Sequence, residues 1–218
     1  DVTRAVAGSW GTLAVVTEVT FKVMPRPEDT LTLVFFGLPD DIGVELLTTA
    51  MSTPFEVTGA VHLQQPVAGR LGYEALRLQG KSVTALRIEN FARSVAYRRD
   101  RLKDVLKAYG RAHEIALENS VSFWREIRNL SAMPNAASQL WRISTAPKAG
   151  PEIVRAISRY TPAQAYYDWA GGLVWLEVPP TADAAASDIR RFVAAQGGHA
   201  TLIRAEPAVR AAIDVFQP

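Results

Sequence analysis

Two successive runs of alternating strands and helices constrain this chain more than any other feature of its sequence. Residues 31–36, 57–63 and 83–90 carry the β-branched or alternating apolar pattern of strands, and amphipathic stretches typical of helices follow the first and third of them. The order strand, helix, strand, strand, helix, strand returns after residue 139. It predicts an α+β fold: an antiparallel sheet with helices on one face, built as a duplicated split-βαβ (ferredoxin-like) domain.

The individual elements are predicted from periodicity and from residues that begin or end helices. Strands are expected at residues 12–24, 31–36, 57–63, 83–90, 114–117, 140–145, 164–169, 173–178 and 199–204. Helices are expected at residues 40–51, 94–109, 119–130, 150–159, 182–196 and 207–216. An aspartate of the Asp40-Asp41 pair and Ser94 are predicted N-caps, and Gly171-Gly172 a hairpin turn.

Composition excludes several kinds of chemistry. The 218 residues include no cysteine, which rules out disulfides, thiolate zinc sites, iron–sulfur ligation by this chain and cysteine nucleophiles. Hydrophobic residues make up 48% and charged residues 21%, as in ordinary globular domains. The sequence has neither an 18-residue apolar run nor a signal segment at its start, so we expect a cytoplasmic protein.

The charge is unevenly distributed but nearly balanced. The net charge of +2 is too small for a dedicated nucleic-acid-binding protein. Residues 81–128 hold 11 basic and 6 acidic side chains. This basic stretch is interpreted as a solvated helix face, with a docking surface for an acidic partner subunit as the functional alternative.

A glycine-containing loop near the start carries the most specific motif. Gly8 and Gly11 flank Ser9 and precede an apolar strand pattern, so backbone N–H groups there can approach phosphate or carbonyl oxygens. A loop that needs a positive φ before an edge strand explains the same spacing. Residues 7–19 resemble the Gly-Ser-x-Gly-Thr-Leu-Gly-x-x-Thr-Glu signature of FAD-linked oxidases of the vanillyl-alcohol-oxidase type, although Ala14 replaces a glycine.

The resemblance implies a cofactor and a set of contacts with it. In that family, this loop and strand lie along FAD. The residues implied to contact FAD are Gly8, Ser9, Gly11, Thr12, Leu13 and Val16. No metal site is predicted, because His62, His113 and His199 are far apart in the sequence and form no metal-binding pattern.

Three later blocks narrow the resemblance to one group of proteins. Residues 140–144, 168–176 and 197–201 include Trp141, Trp169 and Trp175 and are similar to the FAD-binding subunits of bacterial glycolate oxidase complexes. The resemblance implies that residues 1–28 are the last part of a FAD-binding domain and that residues 29–218 are a cap, or substrate, domain. It also predicts that the chain is a fragment, in which FAD is absent although the full-length protein holds it.

The implied function is oxidation of a small 2-hydroxy acid, glycolate to glyoxylate, with electrons passed through FAD to partner subunits. The implied partners are a larger flavin subunit and an iron–sulfur subunit, with peripheral association at the inner face of the cell membrane through the complex. The alternative is a non-catalytic assembly subunit that keeps the flavin-domain fold. An RNA-binding domain is disfavoured by the near-neutral charge.

Two residues are catalytic candidates. Arg142 could bind the substrate carboxylate, or form a salt bridge with Asp168 or Glu177 across the sheet. His199 could accept the hydroxyl proton, or serve only as a structural hydrogen-bonding group. Asp168 is expected to be a buried structural carboxylate, and the tryptophans of the three blocks to pack in the core.

Overall fold

A single antiparallel sheet organises the described part of the chain, which comprises residues 2–23 and 25–217 of the computed structural model. Its strands are β1 Asp29–Phe36, β2 Gly59–Leu63, β3 Val83–Asn90, β4 His113–Ala116, β5 Gln139–Ser144, β6 Gln164–Asp168, β7 Leu173–Val178 and β8 His199–Arg204. The α-helices are α1 Val2–Val6, α2 Asp40–Met51, α3 Gln65–Ala68, α4 Glu74–Arg77, α5 Ala92–Leu106, α6 Leu117–Arg128, α7 Ala149–Ile157, α8 Ala186–Ala195 and α9 Pro207–Ala212. The predicted α+β antiparallel fold is confirmed.

The strand order shows the duplication directly. The sheet runs β4-β1-β3-β2-β6-β7-β5-β8. From the outer edge inward, the first half has the order β4-β1-β3-β2 and the second half the order β8-β5-β7-β6. In both halves this is the fourth, first, third and second strand of the half. The split-βαβ pattern is therefore repeated in space, although the residues of the two halves show no such repeat.

The seam between the two repeats is short. Strands β2 and β6 pair through two residue pairs, His62 with Tyr167 and Leu63 with Tyr166. By contrast, β1 and β3 pair through eight residues each. Side chains rather than a long ladder must therefore fix the seam, and the chain turns away from it directly after Asp168.

Alternation along the strands gives the sheet two faces with different cover. Leu33 and Leu86 pack against α2 and α5 in the first repeat, and Trp141 and Val174 pack against α7 and α8 in the second. On the other side, α3, α4 and α6 cover the first repeat, which adds a layer to the predicted one-sided arrangement. We call this other side the open face, because over the second repeat it carries half-exposed polar groups such as Arg142.

The strand predicted at residues 12–24 is wrong over the described residues 12–23. Strand formation needs a neighbouring strand to take up backbone N–H and C=O groups, and within the described chain this segment has none. Its apolar side chains stay exposed, for example Val15 at 89% and Val23 at 80%. The strand expected as the end of a flavin domain is thus absent here, and Met24 lies outside the described residues.

The last predicted helix is too long. Helix α9 ends at Ala212, Ile213 has an extended backbone, and Leu202 N of β8 donates to Val215 O at 2.9 Å. The outer edge of β8 offers unpaired backbone groups, so pairing there competes successfully with helix formation.

Three local details also differ from the sequence-based expectations. Helix α2 begins after Pro39, and Asp40 makes no capping hydrogen bond, because its carboxylate is used in the interior. Helix α5 begins after Phe91, two residues before the predicted Ser94 cap. The turn between β6 and β7 is a 3₁₀ turn at Trp169–Gly171 and not a two-residue Gly171-Gly172 hairpin.

Candidate functional site

The glycine loop forms a compact exposed turn. Gly8, Trp10 and Gly11 all have left-handed backbones, with φ of +84°, +55° and +76°. Thr12 closes the turn by donating its hydroxyl to Ser9 O at 2.6 Å. The backbone N–H groups of the two glycines have no partner within the described chain, so this donor set suits an anionic or carbonyl-bearing ligand.

The rest of the predicted FAD contacts lie beside this turn. Leu13 is 66% exposed and Val16 54% exposed. A flavin would cover such apolar surface while accepting hydrogen bonds from the turn, and the residues present therefore fit a part of the cofactor.

Arg142 and His199 share the open face. Arg142 pairs in register with Thr201, and Ser144 pairs with His199, so the two candidates occupy neighbouring positions of β5 and β8. His199 is exposed and has no side-chain partner within the described residues.

The salt bridge expected for Arg142 is wrong. Within the described chain its guanidinium pairs with neither Asp168 nor Glu177, and lies instead over the ring of Trp169, 5.5 Å from the centroid. Glu177 is occupied by Arg70 at 2.7 Å and by Arg204 at 3.2 Å. Arg142 thus positions an exposed tryptophan at the edge of the open face.

A cavity of about 680 Å³ opens on this face where the seam ends. It lies between the residues that lead into β2, helix α6 and the turn that follows Asp168. Trp124 of α6 forms part of its wall and donates Nε1–H to Thr32 Oγ1 at 2.8 Å. Gly59 permits this arrangement, because a Cβ there would lie 3.0 Å from the Trp124 ring. The volume of the cavity is in the range of small-molecule sites.

The charged groups of the cavity are unequally satisfied. Arg87 Nε pairs with Glu89 at 3.1 Å, and its guanidinium stacks over Trp124 at 5.2 Å. Asp168 Oδ1 accepts a hydrogen bond from Trp169 N at 2.8 Å, and within the described residues its second oxygen has no hydrogen-bond partner. Burial raises the pKa of the Asp168 carboxyl, although the Trp169 N–H and the charge of Arg87 act in the opposite direction.

The raised pKa predicts a stability gain for Asp168→Asn. Because its pKa is higher in the folded than in the unfolded protein, the Asp168 carboxyl stabilises the fold in acid, below its unfolded-state pKa, where it is protonated. This stabilisation is lost as the pH rises through the folded-state pKa and the carboxyl becomes charged. At pH 7 the variant should therefore unfold at a higher urea concentration than the unmodified protein. The difference should vanish in acid, where the aspartate is protonated too. A variant that is less stable than the parent at pH 7 would contradict this assignment.

A second polar cluster lies under the seam and was missed by the sequence analysis. Nε2 of the fully buried His62 lies 3.3 Å from Asp40 Oδ1, and Tyr167 donates its hydroxyl to Asp40 Oδ2 at 2.6 Å. Burial acts to raise the pKa of Asp40, but hydrogen bonds from His62, Tyr167 and Gln64 bring it below the ordinary value. These groups use their hydrogen-bonding capacity on one another, so we interpret the cluster as a structural one.

Within residues 2–23 and 25–217, no three histidine, aspartate or glutamate side chains lie close enough to hold a metal ion. None of the helices described in the structure combines the length and apolar character required to cross a bilayer.

Comparison with known proteins gives the chain a context. The sequence is 28% identical over 203 residues to the glycolate oxidase subunit GlcE of Escherichia coli K12, a match that covers 92% of this chain and 46% of GlcE. The resemblance to glycolate oxidase flavin subunits is confirmed. This chain spans about half the length of GlcE. No protein-family model matches the sequence.

Two solved structures share the fold. The p-cresol methylhydroxylase structure with bound substrate aligns with 86% of this chain and 47% of its own, at a TM-score of 0.57 and 14% identity. An alkyldihydroxyacetonephosphate synthase aligns with 91% of this chain and 45% of its own, at a TM-score of 0.62 and 15% identity. As in GlcE, the match leaves about half of each protein outside the aligned region.

The cavity is the feature that the sequence analysis did not foresee in this GlcE-like chain. Asp168 and Trp169 were singled out only as a structural carboxylate and a core tryptophan, yet Trp169 is 63% exposed. A signal was present in the sequence, since Asp168 and Trp169 are separated from the Gly171-Gly172 pair only by Ala170. Left-handed backbones at Trp169, Ala170 and Gly171 turn this segment away from the sheet.

Proposed function

We propose that this chain is the cap part of a flavoprotein subunit that takes part in the oxidation of a small 2-hydroxy acid, glycolate to glyoxylate. The observation that carries the proposal is the 203-residue match to GlcE, which covers 92% of this chain. The shared fold of two solved enzymes supports it. Residues 1–28 then belong to a FAD-binding domain and residues 29–218 to the cap.

The glycine loop would hold part of FAD in the full-length protein. Gly8 and Gly11 would donate backbone N–H groups, Ser9 and Thr12 would shape the turn, and Leu13 and Val16 would lie against the cofactor. When bound, FAD would accept the hydride of the substrate. The open face of the cap would then exclude water from the reacting groups and orient the substrate.

Electrons would pass from this subunit to a larger flavin subunit and an iron–sulfur subunit, and the complex would associate peripherally with the inner face of the cell membrane. The chain contains no cysteine, so iron–sulfur ligands would come from elsewhere. The basic helix α5 offers a surface for an acidic partner: Arg93 is exposed and has no side-chain contact within the described residues.

Purification of the full-length protein, expressed alone, tests the flavin assignment. We expect a yellow protein that carries FAD, and we expect Gly11→Val to lower its affinity for FAD at least about tenfold, because a β-branched residue fits poorly at a φ of +76°. Gly80→Val is the matched control, since its φ is +60° in a loop outside the motif. A colourless, stable protein that still assembles with its partners would instead favour the non-catalytic assembly role.

A further inference from the structure

The open-face cavity combines groups that complement a hydroxy acid. Of its two carboxylates, Glu89 is engaged by Arg87 and by the hydroxyl of Thr58 at 2.9 Å. Asp168 is not engaged in this way: Oδ1 is fixed by the N–H of Trp169, and Oδ2 has no partner in the described chain. The cavity therefore contains one carboxylate oxygen that is held in place and is free to accept a proton or a hydrogen bond.

Helix α6 supplies the matching positive charge. Arg125 and Arg128 both line the cavity from this helix and are exposed. Arg128 makes one weak side-chain contact, from Nε to Asn129 Oδ1 at 3.4 Å, and the Arg125 guanidinium has no partner in the described residues. A planar carboxylate is the ligand that such guanidinium groups bind best.

The floor of the cavity is an apolar surface against which a ligand can pack. Trp124 and Ile127 are buried in α6 and face the cavity, and Trp169 borders it under the guanidinium of Arg142. A concave site that combines an apolar floor with convergent polar groups is typical of small-molecule binding.

We propose that this cavity binds a small 2-hydroxy carboxylate, with Arg125 and Arg128 holding its carboxylate and Asp168 Oδ2 accepting the proton of its hydroxyl group. The inference rests on the proposed function. Asp168 would accept the hydroxyl proton as the carbon–oxygen double bond forms, and FAD held by the full-length protein would supply the acceptor for the hydride that leaves the carbinol carbon. Asp168 thereby takes the base role for which the sequence suggested His199.

The raised pKa of Asp168 agrees with this role. A proton acceptor works best when its pKa lies closer to the working pH than that of an ordinary exposed aspartate. Burial at the end of β6 supplies that change. Asp168 Oδ2, which has no hydrogen-bond partner in the described chain, is the oxygen that would accept the proton.

Two substitutions test the inference on the full-length protein. The non-oxidisable probe 2-hydroxyisobutyrate has no hydrogen on its carbinol carbon, so its affinity can be measured by calorimetry without turnover. The double variant Arg125→Gln and Arg128→Gln should weaken probe binding at least about tenfold. Arg159→Gln, at an exposed arginine after α7 that has no side-chain partner in the described chain, should leave the affinity unchanged.

Asp168→Asn should separate binding from chemistry. It should keep probe affinity within about threefold, lower kcat for glycolate about 100-fold or more, and remove the acidic limb of the pH–rate profile. Asp104→Asn, an exposed aspartate on α5, is the control. Active Asp168→Asn protein with an unchanged pH profile, or unchanged probe affinity in the double arginine variant, would overturn the inference and leave the proposed function intact. Parent protein that binds no FAD would overturn the proposed function itself.

Discussion

The Gly43→Ala variant should unfold at a much lower urea concentration than the parent protein, with a loss of about 2 kcal/mol or more in free energy of unfolding. Gly43 lies inside α2, and a Cβ there would come within 2.6 Å of Cγ and Cε1 of the His62 ring. His62 is fully buried and hydrogen-bonded to Thr84 at 2.8 Å, so the ring cannot move aside without breaking its contacts.

The expected direction of the stability change makes Gly43→Ala a sensitive test. In an unobstructed helix, replacing glycine by alanine increases stability by about 1 kcal/mol, so a loss must come from the collision with His62. Gly69→Ala is the matched control, because Gly69 has an αR backbone and its added Cβ would meet its nearest atom, Gln65 O, at 3.4 Å. Equal stability of Gly43→Ala and the parent protein in urea denaturation would show that the seam tolerates displacement of His62.

Glu177→Gln should be the second severe substitution, with a loss of about 3 kcal/mol in free energy of unfolding. The Glu177 side chain is 7% exposed and accepts from Arg70 at 2.7 Å and from Arg204 at 3.2 Å. A neutral amide would leave two guanidinium groups facing one another and would direct its own N–H₂ towards one of them.

The Glu177 cluster also connects distant parts of the chain. Arg70 follows α3 in the first repeat, whereas Glu177 and Arg204 belong to β7 and β8 of the second. Thermal unfolding should therefore show a clear reduction of Tm for Glu177→Gln. The control Glu206→Gln replaces an exposed glutamate that makes no capping hydrogen bond at the start of α9, and should change stability by less than about 0.5 kcal/mol. A Tm for Glu177→Gln equal to that of the control would contradict the argument.

Local patterns were sufficient to predict most of the sheet. Residues 83–90, 173–178 and 199–204 are strands with the predicted bounds, because alternation and flanking turn residues are encoded within each segment. The element order was also sufficient for the fold class. The same local reasoning fails at residues 12–23, where an apolar alternating pattern lacks a neighbouring strand in the described chain.

Long-range geometry accounts for what could not be predicted. The contacts of Asp40 with His62 and Tyr167 join residues that are 22 and 127 positions apart, and no spacing rule relates them. The cavity likewise depends on where β6 leaves the seam and on how α6 crosses the open face. Sequence reasoning identified Arg142 as a candidate substrate ligand, which stays a prediction, but it did not predict the contact of its guanidinium with the Trp169 ring.

The arrangement of the open face links stability to the proposed chemistry. Asp168 is the side chain for which substitution is expected to raise stability at neutral pH and to lower activity, because the same burial that disfavours its charge makes it a better proton acceptor. Gly43 and Glu177, by contrast, do not line the cavity and are expected to affect folding alone.

Anaerobic addition of glycolate to the full-length protein, purified alone with FAD bound, tests the central claim most directly. The account predicts that the visible absorbance of the oxidised flavin disappears after glycolate is added and persists after acetate, which lacks the hydroxyl group. A flavin that stays oxidised in the presence of excess glycolate would contradict the claim that this chain belongs to a subunit that oxidises 2-hydroxy acids.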